Sequence, residues 1–234
     1  MLAGPNGSGK SSLVPLLLQR VDLGVSVNAD EIEADLNRQS GKVRLLNLYD
    51  WSIKLRAQDL LNFSKLGSSQ RLPNDVLGSL KIENNVLVFD GTPIDSYLAA
   101  WVAELLRTSL LTARKTLTFE TVMSHPSKLD FLRDAQAQGF RTYLYFVATN
   151  DPNINVARVR ARVAAGGHAV SAEKITERYY RSLDLARQAI KLTDRAYLFD
   201  NSGAAPELIA EITNGREVLV ETDTVPAWVA HILG

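Results

Sequence analysis

The sequence predicts an α/β protein in which a parallel sheet is flanked by helices, and three observations lead there. A glycine-rich run, Gly4-Pro5-Asn6-Gly7-Ser8-Gly9-Lys10-Ser11-Ser12, is followed at once by an apolar, helix-like segment. Short runs rich in β-branched and aromatic residues recur along the chain and deliver acidic or polar residues at their carboxyl ends. Between these runs lie segments with apolar residues at helical spacing, the alternation that marks strand–helix–strand units.

The glycine-rich run has the form G-x-x-x-x-G-K-S, and each fixed position has a physical task. Gly4, Gly7 and Gly9 carry no β-carbon, so the backbone there takes positive φ and turns N–H groups onto phosphate oxygens. Pro5, Asn6 and Ser8 fill the loop between them. Lys10 adds a mobile charge for the β and γ phosphates, and Ser11 offers a hydroxyl to a magnesium ion. Residues 11–19 read as a helix whose positive end faces the anion. ATP with Mg2+ is the expected ligand, in a P-loop NTPase fold of the nucleotide-kinase type. The strand feeding the loop has only Met1, Leu2 and Ala3 available, so either it is very short or the start is truncated.

Composition narrows the class. The 234 residues suit a single domain with an insertion. Hydrophobic residues are 46% and charged residues 22%, a balance that supports a sizeable core. Lys and Arg number 26, as do Asp and Glu, and this neutrality speaks against a chain whose main task is gripping long nucleic acids. There is no cysteine, which excludes disulfides and thiolate metal sites. No apolar run is long enough to span a bilayer, no signal segment is evident, and a cytoplasmic location without membrane contact is the expectation.

In chain order, residues 24–30 (GVSVNAD) read as a short buried strand delivering Asp30 at its carboxyl end, where binding crevices of open α/β sheets form. Asp30 also suits the N-cap of a helix over residues 31–37. Residues 40–94 read as an insertion: a helix over 46–63, a loop at 67–70 and again at 73–75, then a hairpin of strands 80–83 and 86–89 about Asn84-Asn85. An amphipathic helix over 96–112 returns to the main sheet. The strand over 116–121 presents Glu120 and Thr121 toward the crevice. His125 opens a helix that Gly139 closes, and it suits local capping or the surface more than a catalytic base. Residues 141–149 are apolar enough for a strand buried on both faces.

Residues 154–185 read as a lid. Arg158 and Arg162 are four apart on one helix and share a face, Gly166-Gly167-His168 interrupts it, and Ser171 caps a second helix carrying Arg178 and Arg181. Closing such a pair brings guanidinium groups onto a transferring phosphate and excludes water. A final strand over 195–201 brings Asp200-Asn201-Ser202 to where a purine ring often rests. A helix over 206–213, an Asn214-Gly215 turn and an edge strand over 217–221 complete the chain.

Taken together, AGPNGSGKSSL, VNADEI, FETVMSHPSKL, RVRARVAAGGHAVSAEKITERYYRSL and LFDNS resemble the zeta-toxin-like family of P-loop kinases, over roughly residues 1–34 and 96–204. The resemblance implies that Lys10 and Asp30 lie at the γ-phosphate, with Asp30 the base that activates a sugar hydroxyl and a second magnesium ligand beside Ser11. It places Glu120 in substrate binding and Arg158 as the first lid arginine, Arg162 being a near competitor; Thr121 and His125, near Glu120 in the sequence, are added as candidates for substrate binding. The second lid arginine falls on His168, a departure that Arg178 would have to make good. Characterised members phosphorylate UDP-N-acetylglucosamine and act as bacterial toxins, which implies a nucleotide-sugar acceptor and an antitoxin protein partner. The insertion at 40–94 has no counterpart in the pattern and leaves the acceptor open.

Three other classes compete. ABC-type ATPases share the loop, but they need an LSGGQ-like signature and a strand ending in Asp-Glu, and Gly91 follows Asp90 here. A nucleotide-dependent binding module would capture a partner without transferring phosphate. A polynucleotide or nucleoside kinase would show a basic groove and salt-dependent oligonucleotide binding.

Overall fold

A computed structural model describes residues 1–65, 72–166 and 169–234. In chain order, strand β1 (Leu2–Ala3) leads through the glycine loop into α1 (Lys10–Leu18), then β2 (Val25–Val27), α2 (Ala29–Arg38) and β3 (Val43–Asn47). A 3-10 turn (Leu48–Trp51), α3 (Ala57–Lys65), α4 (Asn74–Ser79), β4 (Leu80–Glu83), β5 (Val86–Asp90) and α5 (Ser96–Thr112) follow. The chain continues through β6 (Leu117–Thr121), α6 (Ser127–Ala137), β7 (Tyr143–Ala148), α7 (Pro152–Ala164) and α8 (Ala172–Ile190). It closes with β8 (Arg195–Asp200), β9 (Glu207–Thr213), β10 (Glu217–Val220) and α9 (Ala227–Leu233). The backbone divides into two compact units, one of residues 1–22 and 120–234 and one of residues 23–119, with strand β6 running from the second into the first.

The first unit is built on a mainly parallel sheet flanked by helices. β1 pairs in parallel with β7 on one side and with Glu120 and Thr121 of β6 on the other, and β8 continues the parallel set beyond β7. Strand β7 is buried from Leu144 to Ala148, which is why nearly every residue of it is apolar. Two residues are enough for β1 because both its edges are paired and both its side chains are buried. The helix α8 is amphipathic, setting Ile175, Tyr179, Leu183, Ala186 and Ile190 inward, and Ser171 caps it by accepting from the Lys174 N–H. Tyr179 is buried and its hydroxyl donates to the Thr149 carbonyl, and burial raises its pKa far above the ordinary phenol value.

Where a helix is expected over residues 206–213, Glu207–Thr213 form the strand β9. Leu208, Ile209, Ala210 and Ile212 satisfy either period. The open edge of β8 decides for the strand by offering an antiparallel ladder from Arg195 to Asp200, broken by one register shift between Leu198 and Phe199. The dipeptide Asn214-Gly215, both residues at positive φ, then makes the hairpin turn to β10.

In the second unit β2 pairs in parallel with residues 117–119 of β6, and α2 and α5 pack together. α5 is apolar over most of its surface, and Leu98, Trp101, Val102, Leu105 and Leu106 form its buried face, with Phe63 edge-on to Trp101 at 5.1 Å. Burying a side chain of this size contributes about 1.5–3 kcal/mol. Arg107 is buried in the same helix over the Phe119 ring, and its desolvation lowers its pKa to about 10 while Glu104 opposes the shift. The hairpin at Asn84-Asn85 forms as expected, both asparagines at positive φ, and Asn85 also holds Ile53 and Leu55 by side-chain hydrogen bonds.

The expected helix over 46–63 is three elements. Residues 43–47 form β3 because β5 presents a complete antiparallel edge to them, and Ser52 at φ 57° ends the 3-10 turn before α3 begins at Ala57. Residues 74–79 are a short helix where a loop is expected at 73–75, Pro73 preceding its first turn. The loop expected at 67–70 lies outside the described residues. Gly78 lies in α4, and a Cβ added there would meet nothing within 4 Å. Gly78→Ala is therefore expected to stabilise the chain by about 0.5–1 kcal/mol, read as a raised urea midpoint.

Candidate functional site

The glycine loop connects β1 to α1 at the carboxyl end of the parallel strands, and its backbone has the curvature its sequence requires. Gly4, Gly7 and Gly9 have φ of 147°, 74° and 88°. A Cβ at Gly4 would lie 2.0 Å from the Val147 carbonyl oxygen and one at Gly7 2.6 Å from the Asn155 carbonyl, so β7 and α7 press directly against the loop. The Gly4 N–H donates to the Thr121 carbonyl at 3.2 Å, tying the loop's first residue to the end of β6. Among the described residues no side chain caps the first turn of α1, which leaves its N-terminal N–H groups for an anion.

Lys10 starts α1, and its ammonium donates to the carbonyls of Gly4 and Pro5 at 2.9 and 3.2 Å, so the charge lies over the loop. Ser11 and Ser12 are exposed on the same first turn. Asn6 Oδ1 and Ser8 Oγ are buried without a hydrogen-bond partner among the described residues. Inward-curved glycines, an uncapped helix start, a lysine over the loop and two unpaired polar atoms suit a polyphosphate.

The loop's outer side is held by two asparagines. Asn155, fully buried in α7, donates from Nδ2 to the Asn6 carbonyl at 2.7 Å, while its Oδ1 accepts from the Thr149 hydroxyl. Asn201, buried after β8, donates from Nδ2 to the Ser8 carbonyl at 2.8 Å and from its backbone N–H to the Ala148 carbonyl. Asp200 beside it accepts from the Trp228 indole at 2.7 Å and from the Ser202 N–H, so α9 anchors the segment read as a purine rest.

Arg158 donates to the Asn201 carbonyl at 2.8 Å and to the Gly203 carbonyl at 3.3 Å, so its guanidinium lies against the loop that follows β8. Arg162 is exposed one turn farther along α7, Arg178 is half-buried, and Arg181 pairs with Glu177 at 2.9 Å. His168 and Gly167 lie outside the described residues. Glu120 is half-buried in register with Leu2, and the Thr121 hydroxyl accepts from the Met123 N–H. His125 is exposed, and its Nδ1 accepts from the Ser127 N–H at 3.3 Å with the Ser127 hydroxyl 3.0 Å away. The structure thus gathers the loop, Glu120, Thr121 and Arg158 in one unit.

Asp30 belongs to the other unit. It is exposed in the first turn of α2, and the cap is Asn28, whose Oδ1 accepts from the Asp30 N–H at 3.0 Å. Asn28 takes the cap because its backbone is extended at φ −125°, whereas Asp30 is already helical. Asp30 sits where a carboxylate favours the helix dipole.

Asn155 and Thr149 carry no sequence motif. The one available signal is that Asn155 interrupts the apolar stripe continued by Val159 and Val163 on α7, a polar residue where the core expects an apolar one.

With this geometry in place, a solved structure of the PezAT chromosomal toxin–antitoxin system of Streptococcus pneumoniae superposes with a TM-score of 0.51, at 12% identity, covering 99% of this chain and 76% of that one. The two share a fold. The structure of AvrRxo1-ORF1:-ORF2 with ATP gives a TM-score of 0.48 at 11% identity, over 94% of this chain and 59% of that one. No family model matches the chain. An uncharacterised protein of Haemophilus influenzae is 33% identical over 60 residues, which are 26% of this chain and 43% of that protein. Among the described residues no helix is long and apolar enough to cross a membrane.

Proposed function

We propose that the chain is an ATP- and magnesium-dependent kinase that transfers the γ-phosphate to a hydroxyl of a small, nucleotide-sugar-like acceptor. The observation that carries the reading is the preformed phosphate cradle: three left-handed or near-left-handed glycines, an uncapped helix start, and Lys10 over the loop. The fold shared with a chain from a toxin–antitoxin system supports the zeta-toxin type of kinase over other P-loop proteins.

In this reading the N–H groups of the loop and of the first turn of α1 bind the β and γ phosphates, and Lys10 swings from the Gly4 and Pro5 carbonyls onto the same oxygens. Ser11 and Asp30 would hold the magnesium ion, whose charge offsets that of the phosphates. Asp30, named by its place after the second strand, takes the proton of the acceptor hydroxyl. Glu120 and Thr121 orient the acceptor, with His125 at its margin. Arg158 and Arg162 neutralise charge that develops on the phosphoryl group, and for Arg158 this requires release from Asn201 and Gly203. Phosphoryl transfer asks for orientation and charge neutralisation more than covalent help, and these residue types supply both. The proposed macromolecular partner is a protein antitoxin.

The test is transfer from γ-labelled ATP to a panel of nucleotide sugars, nucleosides and short oligonucleotides. A labelled nucleotide sugar is the expected product. Asp30→Asn is expected to leave ATP affinity within about threefold while lowering turnover by about 10²–10⁴-fold, the usual reach of a general base. An Asp30→Asn variant that turns over at the wild-type rate removes Asp30 from the base role.

A further inference from the structure

We infer that Asn155 and Asn201 are positioning residues that set the phosphate loop in its anion-binding conformation before any ligand arrives. The inference deepens the nucleotide-binding reading above and rests on it.

A peptide plane carries its C=O and the following N–H in opposite directions. Fixing the carbonyl on one side of a loop therefore fixes the next N–H on the other. Asn155 Nδ2 holds the Asn6 carbonyl at 2.7 Å, which turns the Gly7 N–H away from α7. Asn201 Nδ2 holds the Ser8 carbonyl at 2.8 Å, which turns the Gly9 N–H away from the loop after β8. Neither the Gly7 nor the Gly9 N–H finds an acceptor among the described residues, whereas the intervening Ser8 N–H is used internally, donating to the Pro5 carbonyl at 3.2 Å. Each pinned peptide thus leaves its N–H for a ligand, beside the open N–H groups of the first turn of α1.

The surroundings fit the same role. Asn155 is fully buried and Asn201 is 5% exposed, so each amide keeps one orientation. Thr149 donates to Asn155 Oδ1, which leaves Nδ2 as the end that faces Asn6. A Cβ on Gly9 would sit 2.0 Å from Asn201 Nδ2, so the glycine at this position admits the asparagine as well as the left-handed turn. Asn201 also carries Arg158 on its own carbonyl, so the α7 arginine and the loop share one support. Pre-orienting two donors removes the ordering cost that a flexible loop would meet on binding.

The experiment compares wild type with Asn155→Leu and Asn201→Leu, which keep the volume and remove the donor. Affinities for ATP and for inorganic tripolyphosphate are measured by calorimetry, KM and kcat by transfer assay, and unfolding by urea. Each variant is expected to raise Kd and the KM for ATP about 10-fold or more, with kcat at saturating ATP within about threefold of wild type. Leu105→Ala, a core change in the other unit, serves as the stability control and is expected to lower the urea midpoint with unchanged ATP affinity. In wild type, the Gly7 and Gly9 amide resonances are expected to shift most on adding tripolyphosphate, a readout that needs no variant. Variants that bind both anions as wild type does, or Gly7 and Gly9 resonances that do not move, overturn the inference. A wild-type protein that binds neither anion overturns the nucleotide reading and this inference with it.

Discussion

Lys10→Ala is expected to lower phosphate transfer from ATP by about 10²–10³-fold, the loss usual when one preorganised charge-stabilising donor is removed. Lys10 is the cation of the loop, and its ammonium already lies over the glycine turn, 2.9 Å from the Gly4 carbonyl and 3.2 Å from the Pro5 carbonyl. Moving onto a phosphate replaces its hydrogen bonds to these carbonyls by an ion pair with the group on which charge develops. The difference is largest where charge accumulates during transfer, so kcat should fall more than ATP affinity. Lysine at this position is half-buried, and alanine is a better helix former, so the thermal midpoint should change by no more than a few degrees. Parallel melting and transfer assays check both halves, and a Lys10→Ala protein with wild-type kcat/KM would remove the loop from the chemistry.

Gly4→Ala is expected to destabilise the chain by about 3–5 kcal/mol, a large part of the roughly 5–15 kcal/mol that holds a domain of this kind together. Two effects add. The residue has φ of 147°, where a β-carbon is strained, and that β-carbon would lie 2.0 Å from the Val147 carbonyl oxygen. The obstacle is backbone in β7, which is hydrogen-bonded on both sides by β1 and β8 and cannot give way. Urea unfolding followed by far-ultraviolet circular dichroism measures the effect, and Gly78→Ala, with open space around it and the opposite expected sign, is the matched control. A Gly4→Ala midpoint equal to wild type would mean that the loop backbone is not pressed against β7 as described.

Several elements were legible because their signals are local. The loop declares itself through glycine and lysine spacing, α5 through seventeen residues of continuous helical pattern, and the β4–β5 hairpin through Asn84-Asn85. Local pattern failed where two periods fit the same residues. Leu208, Ile209, Ala210 and Ile212 fit a helix or a strand, and the end of β3 overlaps the start of an apolar stretch that fits a helix nearly as well. In both cases the deciding term was an unpaired strand edge elsewhere in the chain, to which a sequence window is blind. The Asn214-Gly215 turn fits the strand better than the helix, since that dipeptide closes hairpins more readily than it ends helices.

By itself the sequence determined that the chain holds a glycine-rich turn running straight into a helix start, because positive-φ glycines and a following helix start are properties of adjacent residues. It equally determined where Lys10, Ser11, Glu120 and Arg158 stand relative to their own strands and helices. Only the tertiary structure decided what holds the loop open. Asn155 lies 149 residues from Asn6 and Asn201 lies 193 from Ser8, and a hydrogen bond across such separations exists only when β1, β7 and β8 are side by side. The donors that would meet a nucleotide are encoded locally, and their orientation is set by side chains that packing alone brings to them.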